Sequence, residues 1–197
     1  MAERGGVRRR AVLTSVGVAA WTGLVVYGTG KLDEEPAPPP EPATGPYDLV
    51  SYPPDRRPPG PSLTGELLDG AAFDLSALAG QVAVVNFWAS WCAPCRAETE
   101  DLEAVHAATR HRRVAFLGVN VRDDVDQAVA LQRGRMTYPS LFDPAGRAAL
   151  RFDQVPPNTI PATVLMDRRG RVAALFRQRV RRAELEPLVR GLADEPG

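Results

Sequence analysis

Cys92 and Cys95 are the only cysteines in the chain, and only Ala93 and Pro94 separate them. Four chemistries use such a pair: a zinc site, haem attachment, a structural disulfide and thiol–disulfide exchange. Zinc takes about four ligands, and the sequence adds only His106 and His111, both on or just after one polar helical stretch. Haem attachment needs a histidine directly after the second cysteine, where Arg96 stands. A structural bridge across so short a loop removes little entropy from the unfolded chain. Exchange fits the placement. The pair follows a continuous apolar run, VAVVNFW, and opens a charged, alanine- and glutamate-rich segment from 93 to about 110, so a buried strand leads into a helix. Cys92 then lies where unpaired N–H groups and the positive end of the helix dipole favour a thiolate. Pro94 suits the first helical turn, where its missing N–H has no partner to lose.

The elements that must hold this pair can be read on either side. LTGELLDGAAFDLSAL, with a turn at Asp69-Gly70, reads as a β-hairpin followed by a turn of helix. VAFLGVNV is a second buried strand, and DDVDQAVALQRG an amphipathic helix with Asp123 and Asp124 as caps and Gly134 as its stop. ATVLMD, RRG and RVAALFRQRV give an antiparallel hairpin, and RRAELEPLVRGL a closing helix. The order β-α-β-α-β-β-α implies an α/β fold, a mixed sheet flanked by helices. On the first helix, positions 95, 98, 102 and 105 share one stripe. Glu98 therefore lies with Cys95, Leu102 and Val105. It is either a partly buried carboxylate that exchanges protons with Cys95 or a first-turn acid serving the helix dipole.

Outside this domain the chain changes character. The formal net charge of zero excludes a basic field for nucleic acid. Residues 1–10 carry Arg4, Arg8, Arg9 and Arg10, and residues 11–30 hold no charge. Twenty helical residues span roughly 30 Å, a bilayer's hydrocarbon core. The arginines stay cytoplasmic, so 11–30 is expected to be a single transmembrane signal-anchor with everything beyond it exported. A cleaved signal peptide is the alternative, and RRRAVL faintly resembles a twin-arginine signal. Eleven of the 26 residues from 36 to 61 are proline, so 31–61 is expected to be an extended, semi-rigid linker. The folded domain is then 62–197.

VVNFWASWCAPC, followed some 65 residues later by NTIPATVLMDRRGRV, resembles the thioredoxin superfamily. With LTGELLDG, CRAE and the insert running through YPSLFDPAGR, residues 62–192 are most similar to the membrane-tethered, extracytoplasmic TlpA/ResA type of thiol–disulfide oxidoreductase. The resemblance implies a thioredoxin fold with an N-terminal hairpin extension and a central insert. It implies Cys92 as the exposed attacking thiolate, Cys95 as the resolving thiol, and a redox-active Cys92–Cys95 disulfide. It also implies a cis peptide between Ile160 and Pro161 facing the pair. No cofactor or metal is expected, and the chain is expected to be monomeric. Trp91, Pro94 and Ile160 are expected to line a substrate groove, while Trp88 divides between groove and core. Tyr138, Pro139 and Phe142 fit either the groove or ordinary packing. Expected partners are exported proteins with dithiols or disulfides, such as apocytochrome c, and a membrane electron donor. Rival readings are an oxidase of exported proteins, a tethered non-catalytic domain with an inert disulfide, and a thiol peroxidase. Two positions depart from relatives. Asn86 stands where thioredoxins proper have an aspartate and cannot move protons. Glu100 stands where the family often has a helix-kinking proline.

Overall fold

In the computed structural model, which describes residues 43–45 and 48–196, the sheet begins earlier in the chain than the proline-rich pattern suggests. Strands β1 (Ala43–Gly45) and β2 (Leu49–Ser51) pair antiparallel. No proline occurs between residues 47 and 52, so the β2 backbone keeps its N–H donors. The second half of the expected linker thus belongs to the domain, whereas the expected transmembrane stretch 11–30 lies outside the described residues. Among those described, no helix is long and apolar enough to cross a membrane.

The remaining elements follow the anticipated order with one addition. The hairpin β3 (Thr64–Leu67) and β4 (Ala72–Asp74) turns through Gly70 at φ 86° and runs into a short 3-10 helix, Leu75–Leu78. Then come β5 (Val82–Trp88), α1 (Ala93–Thr109), β6 (Val114–Val121) and α2 (Val125–Gln132). The added strand is β7 (Ser140–Asp143), only four residues long and set directly behind Pro139. β8 (Ala162–Met166), β9 (Val172–Phe176) and α3 (Arg182–Asp194) complete the chain. The nine strands form one mixed sheet in the order β1-β2-β9-β8-β5-β6-β7-β3-β4. The ladders β5–β6 and β6–β7 are parallel and the others antiparallel.

β5 is central and wholly buried, and its alternation divides the core into two layers. Val82, Val84 and Trp88 pack with Leu102 and Val105 of α1 and Leu185 and Val189 of α3. Ala83, Val85 and Phe87 pack on the other face with Leu75, Phe152 and Val155. Asn86 shares the α1 side with Val84 and Trp88. The register sets Ala162 opposite Phe87 and Asn120 opposite Trp88. The loops after β5 and β6 and the loop before β8 therefore meet at one end of the sheet.

The opposite end is tied by charge. The Arg57 guanidinium donates to Asp167 at 3.2 Å and to both carboxylate oxygens of Glu195 at 2.5 and 2.6 Å. Asp167 also accepts the backbone N–H groups of Arg169 and Arg171 and the Arg171 side chain. Removing one partner of such a buried pair leaves the other charge desolvated and uncompensated. Asp167→Ala is expected to cost about 3 kcal/mol of unfolding free energy. Glu195→Ala, whose carboxylate is one-third exposed, should cost about 1 kcal/mol or less. Urea denaturation of both variants reads the difference.

Candidate redox site

Cys92 is the N-cap of α1 and Cys95 lies in its first turn, with Pro94 between them. The two sulfurs form a disulfide, with the Cα atoms 5.3 Å apart. The Cys95 N–H, one of the unpaired donors at the helix start, points at Cys92 Sγ at 3.2 Å. The expectation that Cys92 is exposed does not hold in this oxidised state, where the residue retains 5% of its surface and Cys95 3%. Its sulfur is bonded to a buried partner and sits beneath that N–H. The exposed group is Trp91, at 56%. Its indole N–H donates to the Arg122 carbonyl at 3.0 Å, which ties the ring to the end of β6. Pro94 is also exposed.

The Ile160–Pro161 peptide is cis. Pro161 is buried, Ile160 half-buried, and Ala162 pairs with Phe87, five residues before Cys92. The loop ending in Pro161 and the loop carrying Cys92 therefore leave adjacent strands at the same end of the sheet.

Glu98 is fully buried and lies beyond the first turn of α1, so it is not the first-turn acid of the helix dipole. Asn86 Nδ2 donates to its Oε1 at 2.8 Å, and the Val180 N–H to its Oε2 at 3.0 Å. Asn86 Nδ2 also lies 3.0 Å from Thr163 Oγ1. Burial pushes the Glu98 carboxyl up to about 7, against the two hydrogen bonds and the more distant Arg179 guanidinium. A group near 7 exchanges protons readily at neutral pH. Asn86 moves no proton here and serves as the donor that holds the carboxylate.

The other nominated aromatics pack. Trp88 is buried and donates to Ser140 Oγ at 3.3 Å, and Tyr138 packs against Phe116 and His106 in the α1 layer. Phe142 is half-buried on β7, opposite Glu66. α1 runs unbroken through Glu100. Among the described residues no group of three or more His, Cys, Asp or Glu side chains is placed to hold a metal.

Two contributors carried no strong sequence signal. The Val180 amide comes from 82 residues away, and nothing in RQRV marks it. Asp123 is not a cap, because Asp124 alone caps α2 by accepting the N–H groups of Asp126 and Gln127. Burial would raise the Asp123 carboxyl, but donors from Ser90, Asn120 and Asp124 outweigh it and hold the group below the usual carboxylate range. The doublet Asp123-Asp124 was the available sign, since one helix start needs one such residue.

Comparison with known proteins agrees with this arrangement. The AhpC/TSA family matches residues 58–175. The thiol:disulfide interchange protein HelX of Rhodobacter capsulatus is 33% identical over 121 residues, 58% of this chain and 65% of that protein. The thiol:disulfide interchange protein DsbE of Allochromatium vinosum is 32% identical over 162 residues, 76% of this chain and 80% of that protein. The chain thus spans just under two thirds of HelX's length, and most of DsbE's. Among solved structures, a secreted thiol-disulfide isomerase from Corynebacterium glutamicum superposes with a TM-score of 0.72 at 32% identity, covering 75% of this chain and 92% of that one. A secreted Mycobacterium tuberculosis disulfide oxidoreductase gives 0.59 at 29% identity, covering 66% and 95%. The fold is thioredoxin-like, with a mixed sheet and flanking helices.

The raised Glu98 carboxyl has a signature in stability. A carboxyl near 4.5 when unfolded and about 7 when folded binds its proton more tightly in the native state. Its stabilisation is complete below about pH 4.5 and is lost as pH rises through about 7, by about 3 kcal/mol. Glu98→Gln should be less stable at low pH but flatter across this window. Denaturation midpoints at a series of pH values, wild type against variant, check it.

Proposed function

The chain belongs to the AhpC/TSA family, and from that membership and the site's geometry we propose that it is an extracytoplasmic protein thiol–disulfide oxidoreductase working as a reductase. The observation that carries this reading is the Cys92–Cys95 disulfide at the start of α1, beside cis Pro161 and above the buried Glu98. In each turnover the Cys92 thiolate attacks a substrate disulfide. One substrate sulfur leaves as a thiolate and the other is held in a mixed disulfide. The exposed Trp91 and Pro94 and the half-buried Ile160 border the groove where an extended substrate segment lies, its backbone paired with the groups freed before Pro161. Cys95 gives up its proton to the Glu98 carboxylate and attacks Cys92 Sγ. The second substrate thiolate is released, and the Cys92–Cys95 disulfide remains. Two electrons from a donor dithiol return the pair to the reduced state.

Glu98 favours the reducing direction. A site becomes strongly oxidising when its reduced form is stabilised, as in DsbA, whose thiolate is unusually stable. A carboxylate one helical turn beneath the dithiol opposes that stabilisation. Substrates of this chemistry are exported proteins whose cysteines must be kept reduced, such as apocytochrome c before haem attachment. Relatives named as secreted and the uncharged 11–30 stretch behind its arginines support a domain held outside the cytoplasmic membrane. There it would take electrons from a membrane donor.

Insulin reduction under dithiothreitol tests the exchange. The wild-type chain should accelerate precipitation of the insulin B chain, and Cys92→Ser should abolish the acceleration. Cys95→Ser should accumulate mixed disulfides whose partners, identified by mass spectrometry, are exported proteins. No acceleration in any thiol buffer would leave the pair an inert staple.

A further inference from the structure

The loop entering α1 is gripped from outside by two consecutive residues at the end of β6. Asp123 Oδ2 accepts the Ser90 N–H at 2.5 Å, and Oδ1 accepts the Ser90 hydroxyl at 2.7 Å. The Arg122 carbonyl accepts the Trp91 indole N–H. Asp123 is itself braced by Asn120 Nδ2 at 2.8 Å and the Asp124 N–H at 2.9 Å. Three of these bonds act within two residues of Cys92. None of them serves α2, whose start Asp124 already caps.

Arg122 also reaches the other half of the site. The Arg122 guanidinium donates to Asn158 Oδ1, three residues before Pro161. Arg122 and Asn158 both hold left-handed backbones, at φ 49° and 65°. Residues other than glycine persist in that region where the surroundings hold them there. Arg122 therefore touches Trp91 through its carbonyl and the cis-proline loop through its side chain. Arg96 adds a bond on the Cys92 side, donating to the Ser90 carbonyl at 2.8 Å, but makes no link across to Asn158.

We propose that Arg122 and Asp123 are positioning residues that tie the Cys92 loop to the loop ending in Pro161 and so set the groove that receives a polypeptide disulfide. This rests on the exchange reading above. A polypeptide must lie between Trp91 and the cis-proline loop, so it feels the spacing of the two loops. A small disulfide needs only an approach to Cys92 and does not. Loss of the tie therefore separates the two classes of substrate.

The test uses the full chain with dithiothreitol as electron source, and insulin and hydroxyethyl disulfide as substrates. Arg122→Asn removes the reach to Asn158 while tolerating the left-handed backbone, and Asp123→Ala removes the grip on Ser90. Each should raise KM for insulin about fivefold or more while kcat stays within about twofold, the pattern of lost binding common to ground and transition states. Rates with hydroxyethyl disulfide should stay within about twofold of wild type. Asp123→Asn, which still accepts the Ser90 N–H, should recover most of the insulin KM. The inference is overturned if both substrates lose rate in parallel, or if insulin KM is unchanged in both variants. A wild-type chain that reduces neither substrate refutes the exchange reading itself, and the inference falls with it.

Discussion

A carboxylate with no accessible surface has to be supplied with donors, and those that reach Glu98 come from separate parts of the chain. Asn86 approaches from the central strand β5, twelve residues earlier, and the Val180 amide from the β9–α3 loop, 82 residues later. Asn86 extends the network to Thr163, two residues beyond Pro161. One buried oxygen pair thus binds α1, β5, β8 and the β9–α3 loop into the floor beneath the disulfide. Each bond left unmade there would cost about 1–3 kcal/mol or more, because the group stays desolvated without compensation. The floor of the redox site is set by the need to satisfy this acid.

The same acid decides between two opposed effects on the cysteines. The helix N-terminus favours a thiolate at Cys92 by about 1 kcal/mol, and up to about 2 in partly buried geometry. An ionised Glu98 opposes a thiolate at Cys95. Residues three apart on a helix lie about 6 Å apart at Cβ, and two like charges at that distance repel by about 3 kcal/mol at an effective dielectric of about 20. Burial raises the Glu98 carboxyl to about 7, so its repulsion of a Cys95 thiolate and the dipole's pull on Cys92 are of the same order. In the mechanism proposed above, proton exchange tips the balance: Glu98 takes the proton that Cys95 must lose and becomes neutral as the resolving thiolate forms.

Much of this site was legible in the sequence because its signals are local. The cysteine spacing, the apolar run of β5 and the proline in the first turn each act within a few residues. The 95-98-102-105 stripe is enough to turn Glu98 inward, although periodicity alone leaves its role open. Where the sequence was silent, the deciding partner was distant. Leu49–Ser51 reads as linker because its context is proline-rich, yet three residues with free N–H groups suffice to extend a sheet that already offers β9 as an edge. β7 escaped because four residues carry too little pattern, and its place comes from pairing with β6 and β3. The exposure expected of Cys92 came from the resemblance, and the oxidised residue is buried instead. Asp123 reads as a cap because it precedes a helix, and turns instead to Ser90 because Asp124 has taken that work.

The reduction potential of the Cys92–Cys95 pair, equilibrated in glutathione buffers at pH 7 with the full chain, decides whether the pair is a reductant. A dithiol whose stabilisation by the helix N-terminus is offset by a buried carboxylate predicts a reducing pair, at about −230 mV or below, toward the thioredoxin value of about −270 mV. A potential near the about −120 mV of DsbA would mean that the reduced form is strongly stabilised. It would contradict the assignment of Glu98 and of the reducing direction together.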